Sequence, residues 1–440
     1  GSLHPMGGAG ARVTLLAAAA VASLAVPAAA HDGGHAQVPM SSWTGTLAAP
    51  LPLPENAEYV TGDNGRPGGH VAVEGDRLYA GNYGLGMSIY DISTPSQPTR
   101  IGEYMPGVRA DAPPDAAVFD GRHIAVLNGT RRTHGSLPGQ ARTDRTEFLD
   151  VTDPADPKLL WTFGPDQVDG ESHNGDIVDS RRIYLPSGGV GAQGLRIYRL
   201  DPLLGETPAA PENIFRGNPV ALWERSPYRA GKEIGAPFTH THDISVYTDR
   251  QVEGMGARDI ALLAEGGNYV GNGDTGSVFV IDITDPRNPV VLQRWLHEKG
   301  PGHHPIRYHH EAQFLDGDPS VMLVTDEDLH NGCGSAGGVV AVRLSPDLRE
   351  ASELSEWFIP VGTPAPVCSV HVFSSRGSTV FFGAYNAGLQ VVDYSDPSAP
   401  ELTGSYAAPG STAWGAQVHE DVVYVGDMSR GLDVLRYTGP

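Results

Sequence analysis

The sequence predicts a closed, all-β propeller of seven four-stranded blades. Three observations point there: one strand pattern recurs along the chain, turn residues punctuate it at regular intervals, and the final copy lacks its last strand. The first copy opens with His70-Val71-Ala72-Val73, turns at Glu74-Gly75-Asp76 and returns through Arg77-Leu78-Tyr79-Ala80-Gly81. Leu85 to Asp91 (LGMSIYD) and Thr99 to Tyr104 (TRIGEY) supply its third and fourth strands, with period-2 alternation in each.

The third strand recurs as FLDVTDP at 148–154, LRIYRLDP at 195–202 and VFVIDITDP at 278–286, and again as VVAVRLSP at 339–346, LQVVDYSDP at 389–397 and LDVLRY at 432–437. Asp-Pro ends four of these six runs because Asp tolerates the turn and Pro fixes φ beyond it. Copies begin near His70, Asp115, His173, His242, His310, His371 and Trp414. The last copy stops at Tyr437 without a fourth strand. Residues 55–60 (ENAEYV) precede the first copy and resemble its fourth strand, so they are expected to close the ring and remove the open edges.

These residues, in particular LGMSIYDIS, SVFVIDITDPRNP and GLQVVDYSDPSAP, resemble the LVIVD-repeat family, whose copies are propeller blades. The resemblance implies the fold across residues 55–437. It does not imply an activity, because propellers carry many unrelated ones.

Ahead of the repeats, residues 1–30 read as a tag remnant and a signal peptide. Gly1 to Pro5 precede Met6, Arg12 supplies a positive charge, Val13 to Val26 are apolar, and Ala28-Ala29-Ala30 offers a cleavage site. Residues 31–54 form a tail, and 55–440 a single propeller domain. Export, to the cell envelope or beyond, is therefore expected, with no membrane-spanning segment. The net charge of −22 argues against nucleic acid, whose phosphates need clustered Lys and Arg. A monomer is expected, with a small molecule as substrate or ligand.

The chemistry is expected on one face. In a propeller, the start of each first strand and the loop between strands two and three share a face, called the top here. Setting aside His4, His31 and His35, only His123 and His419 fall away from that face. His70, His173, His240, His242, His309, His310 and His371 stand at first-strand starts in five blades, and imidazoles converging from separate strands make a transition-metal site. The H-x-H at 240–242 puts both side chains on one side of a strand. Alternation leaves open which of His309 and His310 faces the channel. Copper is the first expectation, with zinc or iron as alternatives. Polar plugging of the channel mouth is the competing reading of the same histidines.

Glu311 and Asp115 are the candidate catalytic carboxylates: Glu311 follows the His pair, and Asp115 takes the histidine's place in blade two. Arg131, Arg132, His134, Glu265, Asn268 and His330 add polar groups to the top loops, and Asp326-Glu327-Asp328 reads as a solvated face or a weak cation site, with calcium as its ion. The tail's His31 would, after cleavage at Ala30, pair an α-amino group with an imidazole and so offer a further copper ligand. In arrangement only, the His pairs resemble the axial copper site of the selenium-binding protein (methanethiol oxidase) family. That likeness implies an oxidoreductase, and the alternative is a non-catalytic binding or scaffold propeller. The two cysteines, Cys333 and Cys368, fall on the top face of adjacent blades and are expected to form a disulfide.

Overall fold

The computed structural model describes residues 56–82, 85–106, 114–128, 146–163, 172–188, 194–232, 240–266, 276–297, 306, 308–328, 333–334, 337–363 and 365–439. They fold into seven antiparallel sheets of four strands each, arranged as a propeller. The first, innermost strands are Gly68–Glu74, Pro114–Phe119, Asn174–Val178, Thr241–Val252, His309–Leu315, Phe373–Arg376 and Ala413–His419, in blade order. No helix among the described residues is long and apolar enough to cross a membrane.

The turns behave as their composition demands. After the third strand, Asp91, Asp150, Asp282 and Asp393 each accept the backbone N–H two residues on, at 2.8–3.0 Å. The Asp before each Pro repeats the device at Asp153, Asp285 and Asp396. Such side-chain turns terminate the strand and fix the direction of the chain leaving it.

The core lies between blades. Ile260, Leu262, Val278 and Val280 of blade four pack on Ala312, Phe314, Met322 and Val324 of blade five. Each sheet thus buries both faces against its neighbours, so the third strands read as near-continuous apolar runs. Inner strands also need partners for their free edge, and side chains supply them. Asp115 accepts Ile177 N–H at 2.7 Å, Asp176 accepts Val246 N–H at 2.7 Å, and Tyr247 accepts Phe314 N–H at 2.9 Å. Glu311 accepts Phe373 N–H at 3.2 Å, and Ser374 accepts Val418 N–H at 2.8 Å. One blade's side chain therefore holds the next blade's backbone around much of the channel.

The ring closes as a four-stranded sheet in which Ala57–Asp63 pairs antiparallel with Gly431–Tyr437. The closing strand begins two residues later than residues 55–60 and ends three residues further on. Blades seven and one meet through glycine: a Cβ on Gly426 would fall 1.7 Å from Gly69 O. Leu78, Ala80 and Tyr90 then pack on Val422, Tyr424, Leu432 and Val434 to seal the seam.

Two short helices interrupt the repeat pattern: Asp201–Leu204 links the third and fourth strands of blade three, and Pro219–Arg225 leads from blade three to blade four. Asn218 caps the second by accepting Val220 N–H at 2.8 Å, Pro219 fits its first position, and Trp223 is buried in the core between those blades.

Cys333 and Cys368 form a disulfide with Cα atoms 5.0 Å apart and a sequence separation of 35. Closing that loop contributes about 4 kcal/mol by the chain-entropy relation. Thiol titration of the denatured, unreduced protein is expected to find no free thiol. Reduction is expected to lower the melting temperature by several degrees, and two titratable thiols would contradict the bridge.

Candidate metal centre

The inner strands bring five imidazoles to the mouth of the channel. Ring centroids follow one another at 5.0 Å from His173 to His242, 4.2 Å from His242 to His310, 4.1 Å from His310 to His371 and 5.6 Å from His371 to His70. Trp414 of blade seven fills the gap beside His371, at 4.6 Å. Burial is the dominant influence on these rings. It lowers His173 to about 4 and His371 to about 3, and takes His70 well below its ordinary value. The three imidazoles are therefore neutral at pH 7, the state in which histidine binds metals.

Two rings have their tautomer set by the backbone. His242 donates from Nδ1 to the carbonyl of His310 at 3.1 Å, and His371 donates from Nδ1 to the carbonyl of Trp414 at 2.6 Å. A carbonyl only accepts, so Nδ1 carries the proton and Nε2 keeps its lone pair. Metal-binding histidines are commonly oriented in this way.

A buried carboxylate, Glu327, stands beside these rings. Its Oε2 lies 3.9 Å from His310 Nε2, and its Oε1 lies 3.8 Å from His371 Nε2. Ligand atoms of His242, His310 and Glu327 all fall within 4.8 Å of one another. A tetrahedral ion 2.0–2.1 Å from its donors needs them about 3.3 Å apart, so these atoms would have to draw closer to hold one. Glu327 is fully buried, and burial first, then Asp326 and Asp328, raises it to about 8. The Tyr385 hydroxyl donates to its Oε1.

Burial of Asp326, Glu327 and Asp328 corrects the expectation of a solvated face. The hairpin of blade five explains it. His309 pairs with Asp326, Tyr308 N–H donates to Asp326 Oδ1 at 2.9 Å, and Glu327 N–H donates to Tyr308 O at 3.1 Å. The acidic run is thereby held beside the histidine pair.

The other expected residues are placed as follows. His310 faces the cluster, whereas His309 packs edge-on against Trp295 of blade four at 5.7 Å. His240 and His242 flank one ring, Tyr308, at 5.6 and 4.9 Å, and His240 Nε2 lies 2.8 Å from the Tyr308 hydroxyl. Asp115 does not stand level with the histidines. It does for blade three what Asp176 does for blade four, and Asp176 lies three residues deeper than His173. Burial raises Asp115 to about 6 and Glu311 to about 8. Glu311 holds Phe373 N–H and also accepts from Gln313 Nε2 at 2.5 Å. Glu265 is paired with Arg294 at 3.0 Å in a fully buried ion pair. Residues 1–54, Arg131, Arg132, His134, Asn268 and His330 lie outside the described residues.

A second group stands at the outer seam between blades four and five. His297 Nδ1 lies 3.0 Å from Glu353 Oε1, and its Nε2 lies 3.7 Å from Glu356 Oε1. Residues three apart on a strand ordinarily face opposite ways. A bulge between Ala341 and Val342, opposite Ser355 and Glu353, turns both carboxylates to one side. Sequence reasoning passes over this group because nothing local marks the bulge.

A family model described as LVIVD repeat matches residues 65–106 and 380–408. No curated protein matches the chain. Solved propellers resemble it in fold alone. The β-propeller domain of Cps50 (Swd1) from Myceliophteria thermophila has a TM-score of 0.52 at 10% identity, covering 86% of this chain and 99% of that one. The WD40 β-propeller domain of Doa1 has a TM-score of 0.53 at 8% identity, covering 87% and 97%. Raptor from Chaetomium thermophilum has a TM-score of 0.52 at 10% identity over 88% of this chain, which spans only 30% of the Raptor chain.

Proposed function

We propose that this LVIVD-repeat β-propeller is an exported metal-binding protein, holding one divalent transition-metal ion at the mouth of its channel through His242, His310, His371 and Glu327. One observation carries the reading: two imidazoles give their Nδ1–H to backbone carbonyls and so keep Nε2 as an acceptor beside a buried carboxylate. Polar plugs need no fixed tautomer and do not call for a fully buried glutamate.

The donor set favours zinc. Three imidazoles and one carboxylate fill a tetrahedral shell, which suits zinc, whereas copper(II) prefers a square-planar one. A filled shell leaves no position for a substrate, which favours holding an ion over turning a substrate over. Copper, the expectation from sequence, shares the imidazole donors and competes in the test. His297, Glu353 and Glu356 are a second, outer seat of harder donors.

Elemental analysis of the purified chain tests this. At least one equivalent of zinc is expected to survive dialysis, with a second equivalent where the outer seat fills. A metal-free, fully stable protein that takes up no ion would favour the scaffold reading. The oxidoreductase reading draws on Tyr308 and Tyr385, phenols in contact with His242 and Glu327. It requires stoichiometric copper or iron together with metal-dependent oxidation of a small molecule.

A further inference from the structure

We infer that Tyr385 is a selectivity residue: its hydroxyl holds Glu327 to single-oxygen ligation and so tunes the axial site against large, oxygen-preferring ions. The inference rests on the proposed metal site and adds the basis of its choice of ion.

Tyr385 has a backbone that its side chain does not favour. Its φ is +44°, in the left-handed region that suits glycine or asparagine, and a bulky aromatic there is an outlier. Asn386, the better candidate for that conformation, is the next residue. The strained position is held by its surroundings. Tyr385 N–H donates to Ala413 O, and Ala413 N–H donates back to Tyr385 O, each at 2.9 Å. Asn386 Nδ2 donates to Ser411 O at 2.8 Å, and Gly388 N–H donates to Tyr385 O at 3.1 Å. Blade seven thus clamps a turn of blade six. Strain kept in this way points to function when the strained residue reaches a site.

Tyr385 does reach it. Its ring lies edge-on to His371 at 5.3 Å, and its hydroxyl donates to Glu327 Oε1. The other oxygen, Oε2, is the one nearest His310 Nε2. A carboxylate with both oxygens available chelates large ions such as Mn²⁺ or Ca²⁺, which accept bidentate carboxylates and six or more donors. With Oε1 engaged by the phenol, Glu327 offers one oxygen, which fits a small four-coordinate ion and penalises a large one. Tyr385 is a positioning residue here, acting through Glu327.

The test compares the full-length protein with Tyr385→Phe, which keeps the ring, the turn and the strain and removes only the hydroxyl. Affinities for Zn²⁺ and Mn²⁺ are measured by competition titration, and the Co²⁺-loaded forms by visible spectroscopy. Zinc affinity is expected to fall 10–100-fold, the range for loss of an outer-shell partner, and manganese affinity to fall less or to rise. The zinc-to-manganese affinity ratio is then expected to drop. The cobalt spectrum is expected to lose the intense bands of four-coordination, which a merely structural role would leave in place. In a Glu327→Gln background the Phe substitution is expected to add nothing. A zinc-to-manganese ratio and cobalt spectrum unchanged in Tyr385→Phe would overturn the inference and leave the site standing. A parent protein that binds none of the three ions would overturn both.

Discussion

Replacing His310 with alanine is expected to abolish retention of the axial ion, while His309→Ala leaves it in place. The two residues are adjacent, equally buried and alike in sequence. Only His310 stands between His242 and His371, with ring centroids at 4.2 and 4.1 Å, and only its Nε2 faces Glu327. Loss of one of four donors opens the shell, and the weakening is expected to exceed the roughly 10–100-fold typical of losing an outer-shell partner. Binding to the folded state alone stabilises it by about 4 kcal/mol when the free ion stands at a thousand times its dissociation constant. The parent should therefore melt several degrees higher with zinc than without, and His310→Ala should melt at one temperature in both conditions. His309→Ala is expected to lose packing against Trp295 and melt lower overall, yet keep the zinc-dependent rise. If His309→Ala loses the ion and His310→Ala keeps it, the assignment of the pair is reversed. If both keep it, the histidines are plugs.

The architecture was legible because each blade repeats strand, turn and Asp-Pro punctuation, and each of those signals is local. The histidines were legible for a related reason: the start of a first strand is recognisable in sequence, and the fold brings all such starts to one ring. The acidic run was legible as a solvated face or a weak cation site, but Glu327's place beside the imidazoles was not, and the hairpin of blade five shows why. Leu315 pairs with Asp318 across its turn, and a regular ladder from there would set His309 opposite Val324. Irregularities between Phe314 and Leu315, and again between His309 and Ala312, set it opposite Asp326 instead. The slip carries the acids up to the imidazoles, and no residue in the sequence announces it. Tyr385 was hidden differently, since its left-handed conformation contradicts the propensity of its own side chain and depends on blade seven. Asp115 was misjudged by counting residues alone. Its depth is set by which backbone N–H of the next blade it meets, and that is Ile177.

Deleting residues 57–63 is expected to make the propeller aggregate. The strand pairs with Gly431–Tyr437 at six positions, from Ala57 opposite Tyr437 to Asp63 opposite Leu432. Asn56 adds two more ties: its carbonyl accepts Thr438 N–H at 2.8 Å, and its side chain donates to Thr403 O at 2.7 Å. At a net 0.5–1.5 kcal/mol for each ladder bond, the pairing alone contributes ~3–9 kcal/mol, comparable to the whole stability of many domains. The deletion also uncovers the strand Gly431–Tyr437, leaving a row of unpaired N–H and C=O groups as a template for another chain. Tyr406 loses its stacking partner Tyr59, which lies 6.2 Å away between ring centroids. Size-exclusion chromatography is expected to show aggregates, and a thermal melt is expected to show an early, broad transition. The control moves the same seven residues to the other end of the chain. Ala57 lies opposite Tyr437 in an antiparallel pair, so a tight turn after Tyr437 can feed the strand back along Gly431–Tyr437 in its native direction. That permuted chain is expected to recover the parent's elution volume and most of its melting temperature. A deletion variant that elutes and melts with the parent would show that closure contributes nothing, and that the six remaining blades with a three-stranded seventh are sufficient.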